Sequence, residues 1–439
     1  MSTENEKTLE VYDKLASVYL ENTIKHDAKD PNRAKEKQTK IKNFFKKGFS
    51  PLASNAKILE IGAGDGSSSV ILKKLGFNPV PTDVAEDFLN AIKQSGFAPT
   101  RLNILTDNIT GRYGGVLAYR VFVHFTSEDI KIAFGKIYDA LIPGGRFIFN
   151  VVNKDAGVQD GWVDYPGDHH MGAERFFKQF KDSEIRQITQ SAGFNIIEFS
   201  TFGGKENNKW FFIIAEKPLN VRPEIFDYIE TEIIPRYKIA GHSYDHIRQV
   251  ISRSLDFAEQ INDGKIRITD FAGCPGHKIN QNMCYVIAAF HDLGRLIDDE
   301  THEKISAKML LDDPVLPQFF SGEEIKIMAE ATEDHRASAK HDPRSIYGKI
   351  VSSADRNTNV DVMLKRCYEK IREDYPEETK DEIIERTRKI LRQKYGGKSG
   401  YAAKKMYFKD PDFEAGLEKI EEITRDKIKF RKLYDNTAT

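Results

Sequence analysis

Short apolar runs alternate with helical stretches over the first half of the chain. The runs lie at 57–61, 78–81, 115–123 and 146–152, and the helical stretches at 67–74, 85–95 and 127–141. Parallel strands joined by crossover helices produce this alternation. Two later apolar runs, 194–202 and 210–216, predict a closing pair of strands, antiparallel to each other. The pattern predicts an α/β fold.

The pattern changes after Lys217-Pro218. Helical periodicity with few glycines continues from Arg222 to the end, most clearly at 247–261, 281–293, 323–330 and 346–368. A chain of 439 residues exceeds the roughly 250–300 residues at which single cores stop growing. We therefore expect two domains, an α/β domain over 1–218 and an all-α domain over 222–439, the role of 369–439 being open.

Charge and cysteine content argue against a nucleic-acid-binding, membrane-bound or disulfide-rich protein. Lys+Arg 66 against Asp+Glu 67 gives a net charge of −1, so no global field attracts nucleic acid or an anionic membrane. The 3 cysteines lack CxxC spacing, which argues against a disulfide framework or a thiolate zinc site. No apolar stretch approaches the length of a membrane span. We expect a cytoplasmic protein with free thiols and without membrane or nucleic-acid partners.

A glycine-rich segment, Glu60 to Gly66, directly follows the first apolar run. Glycines at 62, 64 and 66 permit positive φ angles and let a cofactor approach the backbone. A dinucleotide site favours GxGxxG, whereas Gly62, Gly64 and Gly66 form GxGxG. Asp83 ends the next strand and can accept hydrogen bonds from both hydroxyls of a ribose. The segment predicts a nucleotide-cofactor loop.

These residues resemble the class I S-adenosylmethionine-dependent methyltransferases, and the match covers roughly residues 9–217. It is supported by Asn103, by 119–125 containing His124, and by Leu141-Ile-Pro-Gly-Gly145. The resemblance implies a Rossmann-like sheet with flanking helices. A nicotinamide-dependent enzyme or a degenerate version of the fold is the alternative.

The resemblance also implies roles for single residues. The loop from Glu60 would pass the methionine part of S-adenosylmethionine, and Asp83 would bind its ribose. Asn103 stands where the family often has an Asp that contacts adenine. The segment 11–19 resembles the family's N-terminal lid helix, which adds Tyr19 to the cofactor-binding residues.

The acceptor site is predicted in 160–175. The sulfonium is already electrophilic, so the protein mainly aligns an acceptor and excludes water, and a base helps only where the acceptor loses a proton. The candidate groups are Asp168, His169, His170 and Arg175, with Trp162 and Tyr165 as walls and His124 towards the sulfonium. The segment resembles one found in small-molecule methyltransferases, and His170 is the predicted catalytic residue. Methylation of RNA or protein is a further alternative.

A second candidate site begins at His291-Asp292, which closes the apolar helix 286–290. Adjacent residues do not share a helix face, but both can reach one metal where a helix ends, and Gly294 is expected to permit that turn. Imidazole and carboxylate together suit Mn, Fe, Mg or Zn. The pair therefore predicts a divalent metal site.

The order His246, His291-Asp292, Asp355 resembles the HD-domain metal-dependent phosphohydrolases over roughly 222–370. His302 and His335 follow in the order of a subset that binds two metals. The resemblance implies one or two divalent ions held by these six residues. A phosphate substrate needs cationic neighbours, for which the sequence offers Arg295, Lys304, Lys308, Arg336 and Arg356. The predicted catalytic set is His291, Asp292, Arg295 and Lys308.

Together these patterns predict a bifunctional enzyme. One half would transfer a methyl group to a small molecule, and the other would hydrolyse a phosphate ester or nucleotide with bound metal. The alternative is that the HD half is a non-catalytic module that senses a nucleotide and regulates the methyltransferase. The oligomeric state is not indicated by the sequence.

Overall fold

The computed structural model describes residues 1–154, 160–164, 171–202, 210–237, 244–269, 272–274, 278–356, 359–396, 400–401 and 403–437. The chain divides into two units, Met1–Leu219 and Asn220–Thr439. Among the described residues, no helix has the length and apolar character needed to cross a membrane.

The first unit mixes strands and helices. In chain order its elements are α1 (Thr3–Lys29), α2 (Pro31–Phe49), β1 (Lys57–Ile61), α3 (Ser67–Lys74), β2 (Asn78–Asp83), α4 (Glu86–Gln94), β3 (Thr100–Arg101), β4 (Tyr113–Ala118), α5 (Ser127–Ala140), β5 (Leu141–Asn153), β6 (Gly161–Val163), β7 (Arg175–Phe177), β8 (Gln179–Phe180), α6 (Asp182–Ser191), β9 (Asn195–Phe202) and β10 (Trp210–Glu216).

One sheet has the strand order β3-β2-β1-β4-β5-β10-β9, with β8 beside β5, and β6 and β7 form a separate pair. Neighbours from β3 to β5 pair in parallel, whereas β10 pairs antiparallel with β5 and β9. The predicted α/β fold and the antiparallel closing pair are confirmed. The strand order reverses between β1 and β4, and open α/β sheets bind ligands outside the carboxyl ends of the strands at such a point.

Aromatic side chains fill the core between the sheet and α5. The rings of Phe134 and Phe147 meet edge to face at 4.9 Å, and those of Phe147 and Phe149 stack at 4.6 Å. Phe122, four positions after the end of β4, packs edge to face on Phe134 at 5.3 Å. Burial of these rings fixes β4 and β5 against α5, and so fixes the segment that follows β4 at the carboxyl edge.

The second unit is helical throughout its described residues. Its α-helices are α7 (Pro223–Tyr228), α8 (Tyr244–Asn262), α9 (Gln281–Phe290), α10 (His302–Leu311), α11 (Gly322–Asp334), α12 (Ile346–Ala354), α13 (Val360–Asp374), α14 (Lys380–Tyr395), α15 (Pro411–Arg425) and α16 (Lys427–Thr437). The predicted all-α fold is confirmed.

Helix α9 is the centre of this unit. Nine of its ten positions, from Met283 to Phe290 together with Gln281, are buried. A helix that is apolar on every side must be surrounded, and α8, α11 and α12 pack around it. Its carboxyl end therefore lies in the interior. Helices α13 to α16 form a separate apolar cluster, which includes Leu364, Leu391 and Ile420.

Candidate functional sites

Six side chains predicted as metal ligands converge inside the second unit. They form two groups, within each of which the ligand atoms lie within 4.8 Å of one another: His246, His291 and Asp355 in the first, and Asp292, His302 and His335 in the second. All are buried except Asp355, which is partly exposed. The structure thus brings together residues from five different segments of the sequence.

The carboxylate of Asp292 lies between the two groups. Its Oδ2 is 3.6 Å from Nε2 of His246 and 3.5 Å from Nε2 of His291. Its Oδ1 is 3.3 Å from Nε2 of His302 and 3.4 Å from Nε2 of His335. One oxygen therefore faces each group, which is the arrangement of a carboxylate that could bridge two cations.

Three of these side chains occupy the position directly after a helix. His291 follows α9, His335 follows α11 and Asp355 follows α12. The carboxyl end of a helix carries a partial negative charge that favours cations nearby. The carboxyl ends of α9, α11 and α12 all lie next to the cluster, so their partial negative charges, together with the carboxylates, favour a cation there.

Three histidines have one ring nitrogen fixed by the backbone. Nδ1 of His291, His302 and His335 donates to the carbonyl three residues earlier, at Ala288, Asp299 and Thr332, over 2.7, 2.8 and 2.6 Å. A carbonyl can only accept, so Nδ1 carries the proton and Nε2 keeps its lone pair towards the cluster. Nε2 of His291 and of His302 is buried without a hydrogen-bond partner among the described residues. These nitrogens fit metal ligands.

Burial keeps two of these imidazoles neutral. It lowers the pKa of His291 to about 4. Burial, assisted by the positive charge of Arg295, also lowers the pKa of His302. Because a metal binds only the neutral imidazole, both residues are in the required state at neutral pH.

In contrast to His291 and His302, the pair of His246 and Asp355 favours its charged form. Burial lowers the pKa of His246, but hydrogen bonds to Asp292 and Asp355 outweigh it, so the pKa is raised. For Asp355 burial raises the pKa, but the positive charge of Arg356 and the hydrogen bond to His246 outweigh burial and hold the pKa well below its usual range. Nε2 of His246 lies 3.2 Å from Oδ1 of Asp355. The two carboxylates favour positive charge at this point.

Gly294 does not act as the sequence suggested. It lies in the short 3₁₀ helix Leu293–Leu296 and is not among the glycines with positive φ. The chain leaves α9 at Asp292, whose φ is −110° and ψ is 5°. A Cβ on Gly294 would stand 2.2 Å from the carbonyl oxygen of His302 and 2.9 Å from Cβ of Ile305. Glycine is required here because α10 packs directly on this backbone.

Two arginines hold the ligands. Nε of Arg295 lies 2.9 Å from Oδ1 of Asp292. Nη2 of Arg356 donates to the carbonyl of His335 over 2.7 Å and to Oδ2 of Asp355 over 3.2 Å. Arg356 is buried, so its charge is part of the structure of the site. Both residues lie where the sequence placed cationic neighbours of a phosphate.

Lys308 is not brought to the cluster. Its side chain is 76% exposed and its Nζ pairs with Oδ2 of Asp312 at 2.7 Å. It lies six positions after His302, so helical geometry turns it to a different face of α10. Lys304 is also exposed, and Arg336 pairs with Glu303 at 3.0 Å. We therefore leave Lys308 out of the proposed catalytic set.

Arg253 is a residue that the sequence analysis missed. Its Nε donates to the carbonyl of Ala354 over 3.0 Å and its Nη2 to that of Ser353 over 3.2 Å. It also pairs with Asp410 at 2.9 Å. Arg253 thus satisfies carbonyls at the end of α12, directly before Asp355. Its spacing of two helical turns from His246 was the available signal.

In the first unit the glycine loop has the expected backbone. The φ angles of Gly62, Gly64 and Gly66 are 64°, 58° and 78°, where only glycine is free of strain. A Cβ on Gly64 would meet nothing within 4 Å, whereas one on Gly62 would meet Val121 at 2.7 Å. The open space at Gly64 fits the close approach of a cofactor.

Asp83 lies beside this loop. Its Oδ2 accepts from the backbone N–H of Gly64 over 2.9 Å, and its Oδ1 from that of Val84 over 2.7 Å. Burial raises the pKa of Asp83, although these backbone donors oppose the shift. The loop and the carboxylate at the end of β2 are therefore joined directly, at the edge where the strand order reverses.

Glu60 faces a different environment. Its buried carboxyl group accepts a hydrogen bond from the hydroxyl of Ser69 in α3. Burial raises its pKa to about 8, against the effect of that hydrogen bond. The side chain therefore joins β1 to α3 and favours its protonated form.

The two remaining predicted cofactor residues lie on separate elements. Oδ1 of Asn103 accepts from the N–H of Leu105 over 3.0 Å, and its Nδ2 lies 3.5 Å from Sδ of Met1. Tyr19 in α1 packs edge to face on Phe88 of α4 at 5.9 Å. Burial raises its pKa. Tyr19 thus joins α1, which contains the predicted lid segment, to α4.

Tyr12 connects this helix to the sheet edge. Its hydroxyl lies 2.9 Å from Nε2 of His124, and Nη1 of Arg175 donates to it over 3.0 Å. Nδ1 of His124 lies 2.7 Å from the carbonyl of Phe176 and therefore carries the ring proton, so Nε2 accepts a hydrogen bond from the hydroxyl of Tyr12. Tyr12 was not singled out from the sequence, although it lies in the lid segment. The candidates Tyr165, Asp168, His169 and His170 lie outside the described residues.

Two family models match the chain. Residues 31–198 match a methyltransferase domain, and residues 243–359 match an HD domain. A comparison with curated proteins found no match.

Solved structures similar to the chain include several methyltransferases. A SAM-dependent methyltransferase from Methanosarcina mazei is 14% identical, with 38% of this chain and 95% of that one covered and a TM-score of 0.33. A Clostridium acetobutylicum S-adenosylmethionine-dependent methyltransferase is 16% identical, with 41% and 92% covered and a TM-score of 0.34. The magnesium protoporphyrin IX methyltransferase of Synechocystis, with bound SAM, is 15% identical, with 49% of this chain and 98% of that one covered and a TM-score of 0.37.

Proposed function

Because the chain carries a methyltransferase domain followed by an HD domain, we propose that it is a bifunctional enzyme. One activity is the transfer of a methyl group from S-adenosylmethionine to a small molecule. The other is metal-dependent hydrolysis of a phosphate ester or nucleotide. The observation that carries the second activity is the carboxylate of Asp292, which faces two separate groups of ligand atoms.

The donor set fits two divalent ions. His246, His291 and Asp355 would hold one ion together with Oδ2 of Asp292, and His302 and His335 would hold the other together with Oδ1. Divalent ions there supply Lewis-acid activation of a phosphoryl group and of water. The nitrogen and oxygen donors suit Mn, Fe or Zn, and the low count of oxygen donors disfavours Mg.

Side chains around the proposed ions position the ligands. Arg295 orients Asp292, and Arg356 fixes Asp355 and the backbone of His335. The two guanidinium groups bring permanent positive charge next to the carboxylates of Asp292 and Asp355. The carbonyl bonds on Nδ1 keep the imidazoles of His291 and His302 in one tautomer, so that the ligand geometry is set before substrate arrives.

In the first unit the open backbone at Gly64 would receive the methionine part of S-adenosylmethionine, and the carboxylate of Asp83 would bind its ribose. The cofactor supplies an electrophilic methyl group. The protein must then align an acceptor and exclude water. Helix α1, held through Tyr12 to His124 and Arg175, covers the edge of the sheet and supports this role.

The hydrolase is tested on the full chain with the metals retained from expression. We expect about two metal ions per chain by elemental analysis and phosphate release from some member of a panel of nucleotides and phosphate esters. His291→Ala should abolish the release and lower the metal content, whereas His341→Ala, at an exposed position, should change neither. Metal binding without phosphate release from any panel member would instead support a sensing module. Full metal content in His291→Ala would contradict the site itself.

A further inference from the structure

A small cavity of the first unit lies beside the point where the strand order reverses. It has a volume of about 190 Å³, and its lining includes Arg33 and Lys37 of α2, Arg120 after β4, and His26, Asp27 and Asp30 between the first two helices. Arg120 follows the last residue of β4 by two positions. The cavity therefore opens at the carboxyl edge of the sheet, where ligands of open α/β sheets bind.

Arg120 is held in an unusual backbone conformation. Its φ is 63°, in the left-handed region, which is strained for a non-glycine residue. The strain is offset by its N–H, which donates to Oδ1 of the buried Asn150 over 2.6 Å. Its guanidinium lies over the rings of Tyr119 and Trp210, at 5.4 and 5.5 Å. Strain maintained by surrounding contacts is a feature of functional positions.

The lining carries more positive than negative charge. Three cationic side chains, Arg33, Lys37 and Arg120, face two carboxylates. The carboxylate of Asp30 caps α2 by accepting the N–H of Arg33 over 3.0 Å, and that of Asp27 lies 3.7 Å from Nδ1 of His26. Cationic side chains therefore outnumber carboxylates in the lining, which favours an anion.

The size of the cavity restricts what it can take. Pockets for whole drug-sized ligands measure roughly 300–1,000 Å³, whereas this one measures about 190 Å³. It suits one charged group of a larger molecule. Gly62 of the glycine loop packs on Val121, the residue after Arg120, because a Cβ on Gly62 would stand 2.7 Å from Val121, so the cavity and the cofactor loop belong to one region.

We propose that this cavity binds an oxyanion, a carboxylate or a phosphate, carried by the methyl acceptor, and that Arg120, Arg33 and Lys37 are its binding residues. The proposal rests on the methyltransferase activity proposed above. Arginine presents two parallel N–H donors to such a group, and the cation–π contact with Trp210 helps to position the guanidinium. The acceptor is then an organic acid or a phosphorylated small molecule.

Trp210 offers a local probe of this cavity. The chain has 2 tryptophans, and Trp162→Phe leaves Trp210 as the reporter beneath Arg120. Inorganic phosphate, and acetate in a parallel series, are titrated into this variant at constant ionic strength. We expect a saturable change in fluorescence, and the stronger of the two series identifies the oxyanion class.

Charge-removing variants complete the test. Arg33→Met and Lys37→Met, neither of which touches the reporter in the contacts described, should each weaken binding about tenfold or more. Lys35→Met, an exposed cation of the same helix outside the cavity, should leave it unchanged. A flat titration, or equal affinity in all three variants, overturns the proposal. Calorimetric binding of S-adenosylhomocysteine separates the outcomes: if it binds and the anions do not, the methyltransferase assignment survives and this inference fails.

Discussion

Oδ1 of Asp292 lies 3.3 Å from Nε2 of His302, while the other oxygen of the same carboxylate lies 3.5 Å from Nε2 of His291. A histidine at the start of α10 and one at the end of α9 are thus linked through a single side chain. Loss of Asp292 should affect both groups of ligands, and loss of His302 should affect one.

Metal stoichiometry distinguishes these two cases. Asp292→Asn should lower the bound metal from about two ions per chain to less than one, because an amide does not supply two anionic oxygens. His302→Ala should retain about one ion, held by His246, His291, Asp355 and Asp292. Elemental analysis after gel filtration measures both, with His341→Ala as the matched control. Equal metal content in the Asp292 and His302 variants would rule out the bridging arrangement.

Gly294 should be essential to the second group. Gly294→Ala places a Cβ where the carbonyl of His302 stands at 2.2 Å, so α10 must move away. We expect loss of one metal ion and a destabilisation of roughly 1–3 kcal/mol, as for other overpacked positions. Gly322→Ala is the control, because a Cβ there meets nothing within 4 Å. Unchanged metal content and stability in Gly294→Ala would show that the packing of α10 is not restrictive.

Asp83 is the test of the cofactor site. Asp83→Asn keeps the size of the side chain but removes its charge and an acceptor for the ribose hydroxyls. Charge-assisted hydrogen bonds contribute about 1.5–3 kcal/mol, so S-adenosylhomocysteine should bind roughly 10- to 150-fold more weakly. Calorimetry measures this, with Glu86→Gln, an exposed acid just after the same strand, as control. Comparable affinities in the two variants would remove Asp83 from the site.

The sequence predicted those candidate site residues whose types occur in a recognisable order along the chain. The glycine loop, Asp83 and the six candidate metal ligands were singled out because their types and order are unusual, and each marks the end of a strand or lies near a helix end. Periodicity also predicted both fold classes, since α9 is apolar on every side and the strand–helix alternation is regular.

Other features depend on contacts that no local pattern contains. The function of Gly294 is set by the backbone of α10, and the exclusion of Lys308 is set by its pairing with Asp312 in solvent. Arg253 acts on carbonyls of α12, about a hundred residues later in the chain. Arg120 was not predicted as a binding residue, because the sequence around it does not indicate its left-handed backbone or its hydrogen bond to Asn150.

Glu60 makes the stability of the first unit depend on pH. Its pKa rises from 4.5 to about 8 on burial, so between these values the folded chain keeps a proton that the unfolded chain releases. This contribution is present at low pH and is lost as the pH rises from about 4.5 through about 8, and each pKa unit corresponds to about 1.4 kcal/mol. Glu60→Gln stays neutral and should lose less stability over this interval.

Both tryptophans lie in the first unit, so their fluorescence during urea unfolding of the full chain reports on that unit alone. We expect the urea midpoint of the wild type to fall between pH 5 and pH 8.5 by more than that of Glu60→Gln, with the two curves converging at low pH, where the carboxyl group is neutral in both states. Glu86→Gln, at an exposed carboxylate, should follow the wild type. Parallel curves for the wild type and Glu60→Gln would mean that the buried carboxyl group is ionised in the folded protein, and that its contact with Ser69 is then a charged hydrogen bond.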